Sequence, residues 1–337
     1  MKIAINGFGR IGRAACKIIF DRHPEMKIAA INDLADAKTL AHLLRHDSVY
    51  GRYEKEVSVQ GDDLLVGGKP IRIFAEKDPA KLPWGELGID VVLEATGFFT
   101  DRPSLSKHLE AGAKKVVVAT SLSARENVPT FVPGVNEKKY DPAAAIVSCA
   151  SCTTNCVVPL IHLLHKNFGV EKCLISTVHS YTTEQRLLDS PHADLRRGRS
   201  AAVSIVPAST HASAAVEEII PELKGRTEAS AFRVPTPIVS IAEVTAVLAK
   251  NASKEDLNAI FSQAAEKELR GIVGVSAEPL VSVDYVKNPH SAVVDLELTK
   301  ALGNLAKVTA WYDNEWGHAS RYAELAELVG NSIGNQR

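Results

Sequence analysis

The chain has 337 residues, 45% hydrophobic and 23% charged, proportions of a soluble globular protein long enough for two domains. Its 39 basic residues against 40 acidic ones leave a formal charge of −1, so no global positive field draws nucleic acid or an anionic membrane surface. Five cysteines do not make a disulfide framework and fit a reducing, cytoplasmic setting, and no apolar run reaches the ~18 residues of a membrane span. The opening residues enter a strand pattern directly, so no signal peptide is expected.

Residues 2–6 read as a strand, and the run Gly7-Phe8-Gly9-Arg10-Ile11-Gly12 follows it and opens a predicted helix over 10–20. In that context the glycines allow a tight turn, close approach of backbone to a pyrophosphate, and close helix–strand packing, with phosphates on the helix N-terminus. A second strand over 27–32 ends beside Asp33, the place of a ribose-binding carboxylate. A helix over 36–45 has Leu40, Leu43 and Leu44 on one face, and a polar stretch with β character covers 54–74. A strand over 90–94, a helix over 104–111, and strands over 115–120 and 145–148 complete an alternation of apolar strands and helices. That alternation predicts a doubly wound parallel sheet, a Rossmann domain for NAD over 1–151.

The run Ser148-Cys149-Ala150-Ser151-Cys152-Thr153-Thr154-Asn155-Cys156 comes next. Ser151 is a candidate N-cap for a helix over 152–168, which carries Val157, Leu160, Ile161 and Leu164 at helical spacing. Cys152 then sits in the first turn, where the helix dipole favours a thiolate nucleophile. Cys149 and Cys152 also form a Cys-x-x-Cys, readable as a redox pair or half a metal site, but no second such pair follows, and no metal is expected. Cys16 and Cys173 lie in apolar surroundings and read as packing residues. Strand-like runs over 174–178, 230–234 and 240–248, a helix over 253–269, and strands over 292–298 and 305–312 indicate an α+β catalytic domain with a mainly antiparallel sheet over 152–315. His179 ends the first of these strands, where it reads either as a packed core side chain or as the base a nucleophilic cysteine needs. An amphipathic helix over 320–333, within a final segment 316–337, is expected to return to the first domain.

Taken in order, Asn6–Arg13, Ser151–Cys156, His179–Thr182, Asp194–Arg197, Arg233–Thr236 and Trp311–Gly317 make the chain resemble the phosphorylating glyceraldehyde-3-phosphate dehydrogenases. The resemblance implies a glycolytic, NAD-dependent oxidation of a triose phosphate through a cysteine thioester, with inorganic phosphate as second substrate, in a homotetramer. It makes Cys152 the nucleophile and His179 the base. Thr182 and Arg233 match positions that hold the substrate's phosphate, and Ser151, Thr153 and Thr210 line the pocket for inorganic phosphate. Asn314 matches the residue that fixes the nicotinamide carboxamide, and Arg10 with Ile11 the backbone donors to the pyrophosphate. Residues 181–207 correspond to a loop that packs near the cofactor of a neighbouring subunit. The related erythrose-4-phosphate dehydrogenases are the alternative, but they typically lack the Tyr181-Thr182 pair present here. The chain also departs from the family pattern: His211 replaces a glycine of the phosphate pocket, Glu184 an aspartate, Cys149 an asparagine and His318 a tyrosine. An imidazole in the phosphate pocket leaves open a second alternative, a redox-sensing relative with weak phosphorylating activity.

Overall fold

A computed structural model describes residues 1–334. The chain divides into two compact units: residues 1–131, 137–150 and the segment from 319 form one, and 132–136 with 151–318 the other.

In the first unit Lys2–Asn6 is a central strand of an eight-stranded sheet. Lys27–Asn32 and Val91–Glu94 flank it in parallel, Lys115–Val118 and Ile146–Ser148 extend one side, and Lys69–Phe74 the other. Val91–Glu94 and Lys115–Val118 are buried throughout, as parallel strands covered on both faces must be. The polar stretch 54–74 resolves into an antiparallel meander that closes one edge: Val57–Gln60, Asp63–Val66 and Lys69–Phe74. The short helix Trp84–Leu87 escapes a periodicity reading because it spans barely one turn. It nonetheless anchors the sheet, since Trp84 is fully buried against Ala4, Ala30 and Val92.

In the second unit the helix Cys152–Phe168 begins at the expected residue. Gly169, at φ +68°, ends it and turns the chain into the strand Val170–Ser180. The sheet order is Val206–Ala208, Thr227–Val234, Val170–Ser180, Ser240–Leu248, Leu305–Tyr312, Ala292–Asp295, Val273–Ser276. Neighbours pair antiparallel except Val170–Ser180 with Thr227–Val234, and Val273–Ser276 with Ala292–Asp295. The helix Cys152–Phe168 packs on Val170–Ser180 and Ser240–Leu248. The last helix begins at Trp316 rather than at 320, because Asp313 Oδ1 accepts the N–H groups of Glu315 and Trp316 at 3.0 and 2.8 Å and so nucleates the first turn. No helix among the described residues is long and apolar enough to cross a membrane.

Candidate active site

Ser151 caps the helix Cys152–Phe168, its hydroxyl accepting the Thr154 N–H at 3.1 Å, and Ala150 just before it is held at φ +58°. Cys152 therefore opens the first turn. Along Val170–Ser180 the side chains alternate: Leu174 and Val178 are exposed, while Ile175, Thr177 and His179 face inward. The helix lies on that inner side, and Cys152 Sγ meets His179 Nε2 at 3.4 Å. Two residues 27 apart in sequence are thus in direct contact.

His179 Nδ1 lies 2.7 Å from the Ser180 carbonyl oxygen and 2.6 Å from an Arg233 guanidinium nitrogen, which also donates to that carbonyl at 3.1 Å. When Nδ1 carries the proton it donates to Ser180, and Nε2 is left as an acceptor aimed at the thiol. Burial, reinforced by the adjacent Arg233 charge, pushes the His179 pKa down to about 3, so the ring is neutral at pH 7. Burial also raises the Cys152 thiol above its ordinary value, outweighing Arg233 and the first-turn Thr153 and Cys152 backbone groups. The expectation that the helix start by itself favours thiolate is therefore corrected. Withdrawing the sulfur from water costs more than half a positive charge offsets. The resting pair is a thiol facing a neutral imidazole, and in the tautomer protonated at Nδ1 the ring can take one proton from Sγ at Nε2.

All five cysteines are free. Burial pushes Cys156 well above the usual thiol value and Cys173 up to about 11, which keeps both protonated. Among the described residues, the group spaced to hold an ion is His23 with Glu25 and Glu327, and it includes neither cysteine of the Cys-x-x-Cys.

Of the residues assigned to phosphate, Arg233 touches His179. Thr182 donates through its N–H and hydroxyl to Gln185 Oε1 at 2.8 and 3.3 Å. Arg233 lies 4.0 Å from the Glu184 carboxylate, which pairs with Arg197 at 2.5 Å, and Arg197 donates to the Ser209 carbonyl at 3.0 Å. Glu184 thus reaches a cation bonded next to Thr210. The Thr210 hydroxyl accepts the Ala212 N–H at 3.2 Å at the entry to the helix Ala212–Ile219. His211 is the exposed N-cap residue of that helix, at φ −100° with no side-chain cap. Its backbone lies outside the left-handed region, so this position does not require glycine. The Thr153 hydroxyl bonds Tyr312 at 3.0 Å, and Asn314 is buried with its Oδ1 accepting from Ser180 and Ser240.

The glycine loop lies in the first unit. A cleft of about 460 Å³ is lined by Asn6, Gly7, Gly9, Asp33, Thr96 and Phe99 among others. Gly7, at φ +90°, has room for no side chain: a Cβ would come 2.6 Å from the Thr96 nitrogen. A Cβ on Gly12 would strike the Gly7 carbonyl oxygen at 2.1 Å, whereas one on Gly9 would meet nothing within 4 Å. The first and third glycines therefore serve packing, and the second leaves open space in the cleft. The helix Arg10–Arg22 that follows has no side-chain cap, so the N–H groups of its first turn, at Arg10 and Ile11, face outward from the helix start. Asp33 accepts the Phe8 N–H at 2.8 Å through Oδ2 and the Ala35 N–H at 3.0 Å through Oδ1, tying the glycine loop to the end of the second strand. Each carboxylate oxygen keeps a further lone pair for a ribose hydroxyl. These donors and acceptors fit a dinucleotide.

Comparison with known proteins agrees along the whole chain. The family description "Glyceraldehyde 3-phosphate dehydrogenase, NAD binding domain" matches residues 1–102, and the C-terminal domain of the same family matches 151–314. The chain is 50% identical over 333 residues to the glyceraldehyde-3-phosphate dehydrogenase of Geobacillus stearothermophilus, covering 98% of each. It is 49% identical over 331 residues to glyceraldehyde-3-phosphate dehydrogenase 1 of Bacillus subtilis, again 98% of each, and 48% identical over 340 to that of Mycolicibacterium smegmatis, 99% of each. The chain belongs to the glyceraldehyde-3-phosphate dehydrogenase family. NAD is its cofactor.

Beside this cleft the chain carries a buried polar network that sequence reading misses. The Trp84 indole N–H can only donate, and it donates to His108 Nδ1 at 3.1 Å. His108 therefore carries its proton on Nε2, which donates to Glu94 Oε2 at 3.1 Å. Asn6 Nδ2 donates to the same oxygen at 2.6 Å, and Thr96 N–H donates to Oε1 at 2.8 Å. The Glu94 carboxylate, 2% exposed, is satisfied by donors rather than by a cation, and it fixes two residues that line the cleft. The available signal was a polar residue ending an otherwise apolar parallel strand, twice: Asn6 and Glu94.

Proposed function

We propose that the chain catalyses the NAD-dependent oxidative phosphorylation of D-glyceraldehyde 3-phosphate to 1,3-bisphosphoglycerate, with Cys152 as nucleophile and His179 as its base. The observation that carries this reading is the 3.4 Å contact between Cys152 Sγ and His179 Nε2 at a helix start. His179 takes the thiol proton as sulfur adds to the aldehyde carbon and returns it to the new oxyanion, giving a hemithioacetal on Cys152 and leaving the imidazole neutral again. The N–H groups of the first helical turn stabilise the oxyanion formed in that addition. NAD, when bound, supplies a hydride acceptor at C4 of its nicotinamide ring. His179 accepts the hemithioacetal hydroxyl proton as the carbon is oxidised to a thioester. Inorganic phosphate then attacks the acyl carbon, and the thiol regains its proton from His179 as the C–S bond breaks. Arg233, with Thr182, is suited to hold the phosphate the substrate already carries. Ser151, Thr153, Thr210 and His211 are assigned to the incoming phosphate. A spectrophotometric assay of NAD reduction with glyceraldehyde 3-phosphate tests the reading, and turnover must require phosphate. Equal steady-state turnover without phosphate would point to a different acyl acceptor.

Asp33 is expected to favour NAD over NADP, because a 2′-phosphate beside a carboxylate meets like charge. The small Ser190 before Pro191 leaves room for some NADP use. Asp33→Ser should narrow the preference about tenfold in kcat/KM. A wild-type preference for NADP would overturn the assignment.

His211→Gly should lower the phosphate concentration for half-maximal rate about threefold at both pH 6 and pH 8.5, by removing bulk near an anion cradle. A higher constant, with the loss largest at pH 6, would instead identify a charge-assisted contact.

We also propose a homotetramer. Leu187, Leu188, Leu195, Val203 and Ile205 are 70–86% exposed on one loop, an apolar surface suited to another copy of the chain. Sedimentation of the intact protein gives the mass that decides it.

A further inference from the structure

We propose that Ser180 and Ser240 are positioning residues that fix the orientation of the Asn314 amide, and through it the face of the nicotinamide offered for hydride transfer. This inference rests on the reading of Asn314 as the residue that holds the nicotinamide carboxamide.

Ser240 opens the strand Ser240–Leu248, which runs antiparallel to both of its neighbours, Val170–Ser180 and Leu305–Tyr312. The start of a strand so placed lies beside the ends of both flanking strands. Val178 pairs with Ile241, and Ser240 pairs with Tyr312, so Ser180, Ser240 and Asn314 converge. All three are buried, at 0%, 2% and 4% exposure. Val239, immediately before Ser240, is held at φ +66°, a conformation a β-branched residue adopts only where surrounding contacts over-determine it. The strain sits where the serine must be aimed.

The hydrogen bonds then run one way. Ser240 Oγ accepts the Ser180 N–H at 3.1 Å, and its own hydrogen goes to Asn314 Oδ1 at 3.2 Å. The Ser180 hydroxyl donates to the same oxygen at 2.9 Å. With the amide turned over, both hydroxyl hydrogens would lose their acceptor among the described residues, an arrangement that buried donors avoid. Asn314 therefore presents Nδ2, whose hydrogens have no acceptor among the described residues. That group donates to a carbonyl oxygen, the acceptor end of a carboxamide. Rotating the nicotinamide by half a turn about its glycosidic bond would carry that carbonyl away from Asn314 and expose the opposite ring face. An amide fixed in one orientation thus selects one face.

The test is the stereochemistry of transfer from 1-deuterated glyceraldehyde 3-phosphate, read by proton NMR of the reduced cofactor. Wild type should place deuterium on one face of C4 only. In Ser180→Ala, Ser240→Ala and their double variant, KM for NAD should rise about fivefold for each hydroxyl removed. Deuterium should then appear on both faces. Ser240→Thr, which keeps a hydroxyl, should restore single-face transfer. Melting temperature and the rate of Cys152 alkylation show whether each variant is folded with its Cys–His pair intact, and the single variants carry the test if the double variant does not fold. Folded serine variants with wild-type KM and single-face transfer would overturn the positioning role. Asn314→Ala separates the two layers. If it scrambles the face while the serine variants do not, the positioning role alone is wrong. If it leaves KM and stereochemistry unchanged, Asn314 does not hold the carboxamide and the inference falls with that reading.

Discussion

Cys152→Ala and Cys152→Ser should each reduce NAD-linked oxidation of glyceraldehyde 3-phosphate by about 10⁴-fold or more while leaving fold and NAD affinity intact. The sulfur is the only proposed site of the acyl intermediate, and it lies within reach of His179 at the start of a capped helix. Serine preserves the volume roughly, but its hydroxyl is a far weaker acid and a far weaker nucleophile than a thiol. Cofactor binding should survive because the glycine loop and Asp33 belong to the first unit. Cys156→Ala is the control. Its thiol is fully buried one turn deeper and pushed well above the usual range, so it packs rather than reacts. Activity assays, circular dichroism and NAD titration of the three variants decide the matter. An inactive Cys156→Ala beside an active Cys152→Ala would reverse the assignment.

His179→Asn should lower kcat by about 10²- to 10⁴-fold, the usual span for a general base. It should also slow alkylation of Cys152 by iodoacetamide at pH 7, because burial favours the thiol and the base that would deprotonate it is gone. Alkylation rates that match wild type from pH 5 to 9 would leave His179 a packing residue only. Stability gives an independent readout. The folded-state pKa near 3 lies below the ~6.5 of an unfolded histidine, so the unfolded chain binds more protons between those values. The contribution of neutral His179 is therefore complete above pH ~6.5 and is lost as pH falls toward 3. Melting temperatures measured from pH 7 to pH 4 should fall less steeply for His179→Asn than for wild type, and identical slopes would contradict a buried neutral imidazole.

The sequence by itself determined the features whose causes are local. Ser151 before Cys152 specified where a helix begins, because a hydroxyl at that position satisfies an N–H that the helix cannot. The glycine run after a β-prone segment specified a strand, a turn and a helix, because only glycine fits the Gly7 and Gly12 positions. Alternating apolar strands and helices specified a parallel sheet in the first unit, and the change of texture after 152 a mainly antiparallel one. The meeting of Cys152 and His179 was not legible in the sequence, where His179 reads equally as a packed core side chain. It follows from the observed elements: sixteen residue steps of helix rise about 24 Å, nine steps of strand return about 30 Å, and the reversal at Gly169 brings the end of the strand back to the start of the helix.

Tertiary structure decided which face of the strand turns inward and what happens to charge there. Helix position argued for a thiolate at Cys152, but burial reverses the preference, and burial is a property of everything packed around the sulfur. The same holds for Glu94, whose donors come from Asn6, Thr96 and His108, and for Asn314, whose orientation is set by serines 74 and 134 residues away. Local sequence fixes backbone conformation because capping, turn geometry and periodicity act over a few residues. Protonation and amide orientation depend on desolvation and on distant partners, which exist only once the sheets have formed.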